Sequence, residues 1–250
     1  MNQATFCFFG ELNDFLPEKM RRVSFVYGFK GNPSVKHIIE ALGVPHTEVH
    51  QIMVADRAVD FHYLVLDQDQ IYVYPVSQTN TRRPGIFEND RLNPEPRFVI
   101  DNHLGRLAAY LRMSGFDVLY RNDYQDEELA WIASQEERIL LTRDRRLLMR
   151  NMVKFGYCVR HLKPKLQLVE VLRRYDLFES IRPFRRCLRC NHPLQPVSKE
   201  AILDRLEPLT RQYFDEFHTC PNCEQIYWKG SHYERMLKLL TQIIQTNQSG

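Results

Sequence analysis

The sequence predicts an α/β protein in three parts, and three observations carry that expectation. Residues 98–175 alternate short apolar runs with amphipathic helical stretches, which is the mark of βαβ units and a parallel sheet. The first 76 residues place strand-like segments around one short helix, and that helix must cover one face of a mixed sheet. Two Cys-x-x-Cys pairs near the C-terminus read as a metal-bound ribbon.

In the first part, residues 5–9 are strand-like, and residues 22–27 alternate through Val23 and Phe25. Ser34 is placed to cap a helix whose Val35, Ile38, Ile39 and Leu42 fall at i, i+3, i+4 and i+7, and Gly43 ends it. Residues 48–54 and 71–76 are the later strands, with Gln68 and Asp69 in a turn between them. Residues 77–96 hold three prolines and a glycine without any apolar period, so they form a linker that Pro94 and Pro96 keep extended.

The second part spans residues 97–186. Strands are expected at 98–100, 117–120, 139–141 and 157–159. Helices are expected at 103–114, 126–135, 145–151 and 166–175, the first with Leu104, Leu107, Ala108 and Leu111 on one stripe and Gly115 as its stop. The third part, residues 187–250, ends in a helix. Its Met236, Leu237, Leu240, Ile243 and Ile244 make a stripe that must be buried, and the second part is the surface at hand.

Composition narrows the class. The chain has 250 residues, 44% hydrophobic and 26% charged, an ordinary soluble balance. No apolar run nears the roughly 18–20 residues of a membrane helix. The first residues lack a basic n-region and a small-residue cleavage site, which argues against export and for the cytoplasm. Six cysteines are too few for a disulfide scaffold, and four of them fall in the paired motifs. The net charge of +3 is unevenly spread: −3 over residues 1–96, +6 over 97–186 and 0 beyond. An anionic partner is therefore expected at the middle part.

Three stretches of that part bring acids toward one place. Asp101 follows an apolar strand directly, and Asp144 lies just past another, after Thr142 and Arg143. Asp126, Glu127 and Glu128 open the helix after the intervening strand. Sites in parallel sheets form at the carboxyl ends of strands, so Asp101 and Asp144 share a crevice if their strands are neighbours. Carboxylates gathered so closely repel one another, and a hard divalent cation, Mg²⁺ or Mn²⁺, removes that penalty. Each acid alone is an ordinary turn residue or helix cap. Thr142 is placed to orient Asp144 through its hydroxyl.

The motif Phe98-Val-Ile-Asp-Asn-His-Leu-Gly-Arg-Leu-Ala-Ala-Tyr-Leu-Arg-Met-Ser-Gly115 carries a family likeness. So do Asp126-Glu-Glu-Leu129, Arg138-Ile-Leu-Leu-Thr-Arg-Asp-Arg-Arg-Leu147 and the twin cysteine pairs. The region resembles the Mut-seven C-terminal ribonuclease domain, a branch of the PIN-like nuclease fold. Residues 1–76 resemble a ubiquitin-like β-grasp domain of the ThiS/MoaD sulfur-carrier type. They lack the free Gly-Gly end of a carrier and run on through Ser77, so the resemblance implies binding or packing instead of sulfur transfer. The resemblance implies a metal-dependent ribonuclease, a hydrolase of RNA, with Asp101, Asp126 and Asp144 as the catalytic and Mg²⁺ or Mn²⁺ residues. Glu127, Glu128 and Thr142 stand in support.

Arginine forks match phosphate oxygens, which makes Arg106, Arg112, Arg143, Arg145 and Arg146 candidates for the RNA backbone; salt bridging to nearby acids is the alternative. Cys187-Leu-Arg-Cys190 and Cys220-Pro-Asn-Cys223 are separated by 29 residues, more than the usual about 15–20. Helical stretches in that insert bring the ends together into a closed Cys₄ zinc site of structural role. Cys7 and Cys158 lie in apolar strands and belong to the core. Two rival functions stay open: a non-catalytic RNA-binding protein, and an adaptor docking a protein partner through the ubiquitin-like domain.

Overall fold

The computed structural model describes residues 1–75 and 96–248. The expected linker, but for Pro96, lies outside the described residues.

Alternation builds the first sheet, broken once in the third strand where the register shifts between Val49 and Gln51. In β1 (Asn2–Phe8), Ala4, Phe6 and Phe8 point inward. In β5 (Gln70–Pro75) Ile71 and Val73 do the same, and in β3 (Val49–Val54) it is Val49, Ile52 and Val54. With β2 (Phe25–Phe29) and β4 (Arg57–Val59) the strand order is β2-β1-β5-β3-β4. The β1–β5 pair is parallel and the other pairs are antiparallel. Helix α1 (Val35–Ala41) covers the inner face with Val35, Ile38 and Ile39. Ser34 Oγ accepts the His37 N–H at 3.2 Å, and Gly43 at φ +94° carries the chain away, as the capping residues require. This is a β-grasp sheet. Strand β2 begins at Phe25 and not at residue 22, because Arg22 turns through φ +57° with its N–H held by Asn13 Oδ1.

The second sheet is parallel throughout, in the order β7-β6-β8-β9. Its strands are β6 (Arg97–Ile100), β7 (Asp117–Leu119), β8 (Ile139–Thr142) and β9 (Gly156–Cys158). One face carries Phe98, Ile100, Leu141 and Tyr157 against α2 (Gly105–Met113) and α5 (Pro164–Arg174). The other carries Val99, Leu140 and Cys158 against α3 (Asp126–Gln135) and α4 (Arg145–Leu148). The apolar core on this second face runs without a break into the core of the β-grasp domain. A parallel sheet needs cover on both faces, and here helices and a neighbouring domain provide it.

The third part is a small antiparallel sheet, β10 (Gln195–Val197), β11 (Phe217–Thr219) and β12 (Ile226–Trp228), over Ile202, Leu206, Phe217 and Ile226. The insert between the cysteine pairs holds a 3-10 turn (Glu200–Arg205) and α6 (Pro208–Tyr213). Helix α7 (Ser231–Gln248) then returns to the second domain. Leu240 and Ile243 are buried in the α2–α5 core with Met236 at its margin, while Leu237 stays 40% exposed. The Ile244 side chain lies outside the described residues.

Candidate active site and metal centre

Strands β6 and β8 are neighbours, and the chain leaves them in opposite directions, toward β7 and toward β9. That makes their carboxyl ends the switch point of the sheet, where crevices open. Asp101 and Asp144 both sit there. Thr142, fully buried, ties them: its hydroxyl donates to Asp101 Oδ2 at 2.6 Å and accepts the Asp144 N–H at 2.9 Å. Thr142 was expected to orient Asp144; the hydroxyl also fixes Asp101. The His103 N–H donates to Asp101 Oδ1 at 3.3 Å, and the Arg146 N–H donates to Asp144 Oδ1 at 2.7 Å. Each carboxylate therefore also caps a helical turn.

Close packing fixes the first of these turns. Tyr120 donates its hydroxyl to Asn102 O at 3.1 Å and occupies the space that a side chain at Gly105 would need. Beside it, Asn102 Oδ1 is buried with no hydrogen-bond donor among the described residues.

The helix-start acids are placed differently. Arg150 Nη2 lies 2.8 Å from Glu127 Oε1 and 3.9 Å from Asp126 Oδ2, and Arg121 reaches Glu128 at 3.4 Å. The hydrogen bond from Arg150 holds the Glu127 carboxyl below its ordinary range. Taking one ligand atom from each, Asp101, Asp126 and Asp144 do not all come within 4.8 Å of one another. Asp101 and Asp144 are brought together, and Asp126 stands beside Arg150.

The arginines divide as well. Among the described residues, the exposed side chains of Arg106, Arg143 and Arg146 have no hydrogen-bond or ion-pair partner. Arg145 reaches across to the β-grasp domain, donating to Phe15 O at 3.0 Å with its guanidinium 4.9 Å from the Phe15 ring. Arg112 is buried with its donors occupied. It is 5% exposed, and its nitrogens donate to the carbonyls of Val118, Leu188 and Arg189 at 2.9–3.1 Å. It braces β7 against the first cysteine knuckle. The signal was in the sequence, since position 112 follows Ala108 by one helical turn on the buried stripe.

The four knuckle cysteines converge. Their sulfur atoms all lie within 4.8 Å of one another, with Cys187 to Cys223 at 3.5 Å and Cys190 to Cys220 at 3.3 Å. Tetrahedral thiolates at about 2.3 Å from a metal stand about 3.8 Å apart, so the donor set fits one ion. Each knuckle turns through a left-handed residue, Asn191 at φ +69° and Glu224 at φ +58°. Neither His192 nor His218 joins the cluster. Asn191 also anchors the ribbon: it accepts the Val118 N–H and donates to Asp117 Oδ1, both at 2.9 Å. Sequence reading did not single out Asp117, the partner of Arg138 and Arg186.

Fold and site together define a class: a parallel α/β domain with two aspartates at its switch point, a ubiquitin-like domain ahead of it and a four-cysteine ribbon behind. Comparison with known proteins places that class. Residues 96–240 match the Mut7-C RNAse domain and residues 1–81 the Mut7-C ubiquitin domain, so the chain belongs to the Mut7-C RNAse domain family. No curated protein matches it. Among solved structures, the small archaeal modifier protein 1 of H. volcanii is similar at 12% identity, covering 30% of this chain and 98% of that chain with a TM-score of 0.25. Among the described residues no helix is long and apolar enough to cross a membrane.

Proposed function

We propose that the protein is a metal-dependent ribonuclease that hydrolyses RNA phosphodiester bonds at the carboxyl edge of its parallel sheet. The observation that carries this is the Asp101–Thr142–Asp144 arrangement. One buried hydroxyl ties the Asp101 carboxylate to the backbone N–H of Asp144, and among the described residues no lysine or arginine neutralises either acid. The donor set is all oxygen, which suits a hard cation; the buried Asn102 Oδ1, next along the chain from Asp101, has no donor among the described residues. Asp101 and Asp144 would hold Mg²⁺ or Mn²⁺; Asp126, or Glu127 or Glu128 in its stead, would join as third ligand only by leaving its arginine partner, Arg150 or Arg121. Such an ion lowers the pKa of bound water and offsets charge developing on the scissile phosphate.

The protein's own groups set the stage. Thr142 holds Asp101 Oδ2, and the Arg146 N–H holds one Asp144 oxygen, so both carboxylates are oriented before substrate arrives. Arg106, Arg143 and Arg146 are free to take RNA phosphate oxygens. Arg112 is left out of this set because its donors are occupied. The ribbon carries a structural zinc on Cys187, Cys190, Cys220 and Cys223. None of the six cysteines is joined in a disulfide, which suits the cytoplasm.

A second reading keeps a specific support. Both carboxylates act as caps, so a non-catalytic RNA-binding protein would need the same residues. Cleavage of generic single-stranded RNA with and without Mn²⁺ separates the two. Cleavage that needs Mn²⁺ and is lost in Asp144→Asn supports the nuclease; binding without cleavage under both conditions overturns it.

A further inference from the structure

The β-grasp domain reaches the cleavage edge through a carboxylate. Strand β9 lies at the rim of the parallel sheet, so every second N–H of this strand faces outward with no strand to receive it. The Val159 N–H turns inward to Thr142 O at 2.8 Å. The Cys158 N–H turns outward, and Glu48 Oε1 of the β-grasp domain receives it at 2.7 Å. Glu48 is wholly buried. Arg160 and Arg174 of the nuclease domain stand 3.5 and 3.6 Å from its Oε2, and Arg174 also holds Glu11 at 3.1 Å. Burial pushes the Glu48 carboxyl up, while the two guanidiniums and the Cys158 N–H oppose that shift.

A second contact meets the same edge. The Gly10–Phe15 turn sets Phe15 between two guanidiniums, with Arg145 at 4.9 Å and Arg160 at 5.0 Å from its ring. Arg160 lies 3.5 Å from Asp14, and Arg145 donates to Phe15 O. Arg145 directly follows Asp144. The Cys158 thiol meets Arg143 O at 4.0 Å, on the other side of Asp144. The turn bearing Asp144 is thus held from its own sheet by Thr142 and from the other domain through residues 143, 145 and 158.

We propose that the ubiquitin-like domain is a fixed half of the cleavage site, in which Glu48 acts as a positioning residue that holds the end of β9 and, through it, the turn that carries Asp144. The proposal deepens the nuclease reading and rests on it for the activity that is positioned. A buried carboxylate facing two arginines and an outward N–H is costly to keep unless its geometry is complete. Removing it leaves the Cys158 N–H without its acceptor and takes from Arg160 and Arg174 one of the two carboxylates that each faces.

The test is amide hydrogen exchange on the full-length protein, read at two reporters. These are the Asp144 N–H on Thr142 Oγ1 and the Arg146 N–H on Asp144 Oδ1. Glu48→Ala should speed exchange at both by at least tenfold. Glu48→Gln, which keeps an acceptor for Cys158 but no charge, should fall between; it carries the test if the alanine variant does not fold. Lys36→Ala removes a different interdomain bond, Lys36 Nζ to Asn151 Oδ1 at 2.9 Å, and should leave the reporters as they are. Cleavage by Glu48→Gln should lose kcat at least threefold with KM within twofold, and Glu48→Asp should recover part of that loss. Faster exchange at the Cys158 N–H with both reporters unchanged would overturn the proposal, because Glu48 would then only seal the interface. The exchange is read without RNA or metal. If Asp144→Asn still cleaves, the nuclease reading falls while the positioning result stands on its own.

Discussion

The two ends of the parallel sheet carry acids in opposite states. At the amino end, Asp117 is held by Arg138 at 2.6 Å, by Arg186 at 3.1 Å and by the Asn191 amide at 2.9 Å. At the carboxyl end, Asp101 and Asp144 lie in a stretch just as rich in arginine, yet among the described residues none pairs with them. Two of the arginines there are drawn elsewhere, Arg145 to Phe15 O and Arg150 to Glu127, while Arg106, Arg143 and Arg146 bond neither acid with their side chains. An acid whose guanidinium partners are in place is complete as a brace. A carboxylate pair denied them keeps its charge available for a cation. Proximity of opposite charges in sequence does not decide which of the two a residue becomes; the fold decides by where it sends the arginines.

The most severe way to break the contrast is to release the ribbon from the amino end. Cys220→Ser should abolish metal retention and unfold the segment from 187 to 228, since ribbon folding rests on metal binding, worth about 10–16 kcal/mol in small zinc peptides. Elemental analysis and limited proteolysis read this. One zinc per chain and unchanged protease resistance in the variant would refute it.

Asp144→Asn attacks the other end and should do the reverse. Asparagine caps a helix as well as aspartate does, so stability should stay within about 0.5 kcal/mol. Metal-dependent cleavage should drop by about a hundredfold or more, the scale of losing one electrostatic element of a site. Cleavage assays beside urea unfolding give both halves of the expectation.

Asp117→Asn sharpens the comparison by damaging only the brace. Breaking a partly buried ion pair should cost about 3 kcal/mol, with kcat per folded molecule unchanged. The pH dependence has a definite sign. Burial would raise the Asp117 carboxyl, but hydrogen bonds from Arg138 and Asn191 and the nearby arginine charges outweigh it and hold it below its ordinary value of 3.8. Its stabilisation is therefore complete above that value and fades as pH falls through the depressed one. The acid limb of the unfolding profile should be shallower in Asp117→Asn.

The smallest effect is expected from Arg143→Ala combined with Arg146→Ala. If each contacts one phosphate, the log–log salt slope of single-strand RNA binding should fall by roughly 0.7 per residue. An unaltered slope would return these side chains to ordinary solvated surface.

Much of the frame was legible. Helix α3 occupies residues 126–135 as periodicity predicts, and the four strands of the parallel sheet lie within a residue of their apolar runs, whereas β1 and β2 begin three residues from the expected starts. Strand β4 was not foreseen, because Arg57–Val59 is three residues long and has no alternation to read. The pairing of Asp101 with Asp144 followed from strand adjacency, a topological inference. Asp126 shows the limit of that reasoning: opening a helix on the correct edge does not set where its carboxylate points when Arg150 is nearby. The role of Glu48 left no trace in local sequence, since its partners lie 110 residues and more along the chain.

That separation has a consequence for synthesis. The β-grasp domain leaves the ribosome first, when Cys158, Arg160 and Arg174 have not yet been made. At 5–20 residues per second, roughly 5–20 s pass before Cys158 follows Glu48. During that interval Glu48 faces water as an ordinary solvated acid, and the apolar surface destined for α3 and α4 is uncovered. The newborn first domain therefore keeps an apolar face open until α3, α4 and β9 cover it, and Arg160 and Arg174 then close the ring of charges around Glu48.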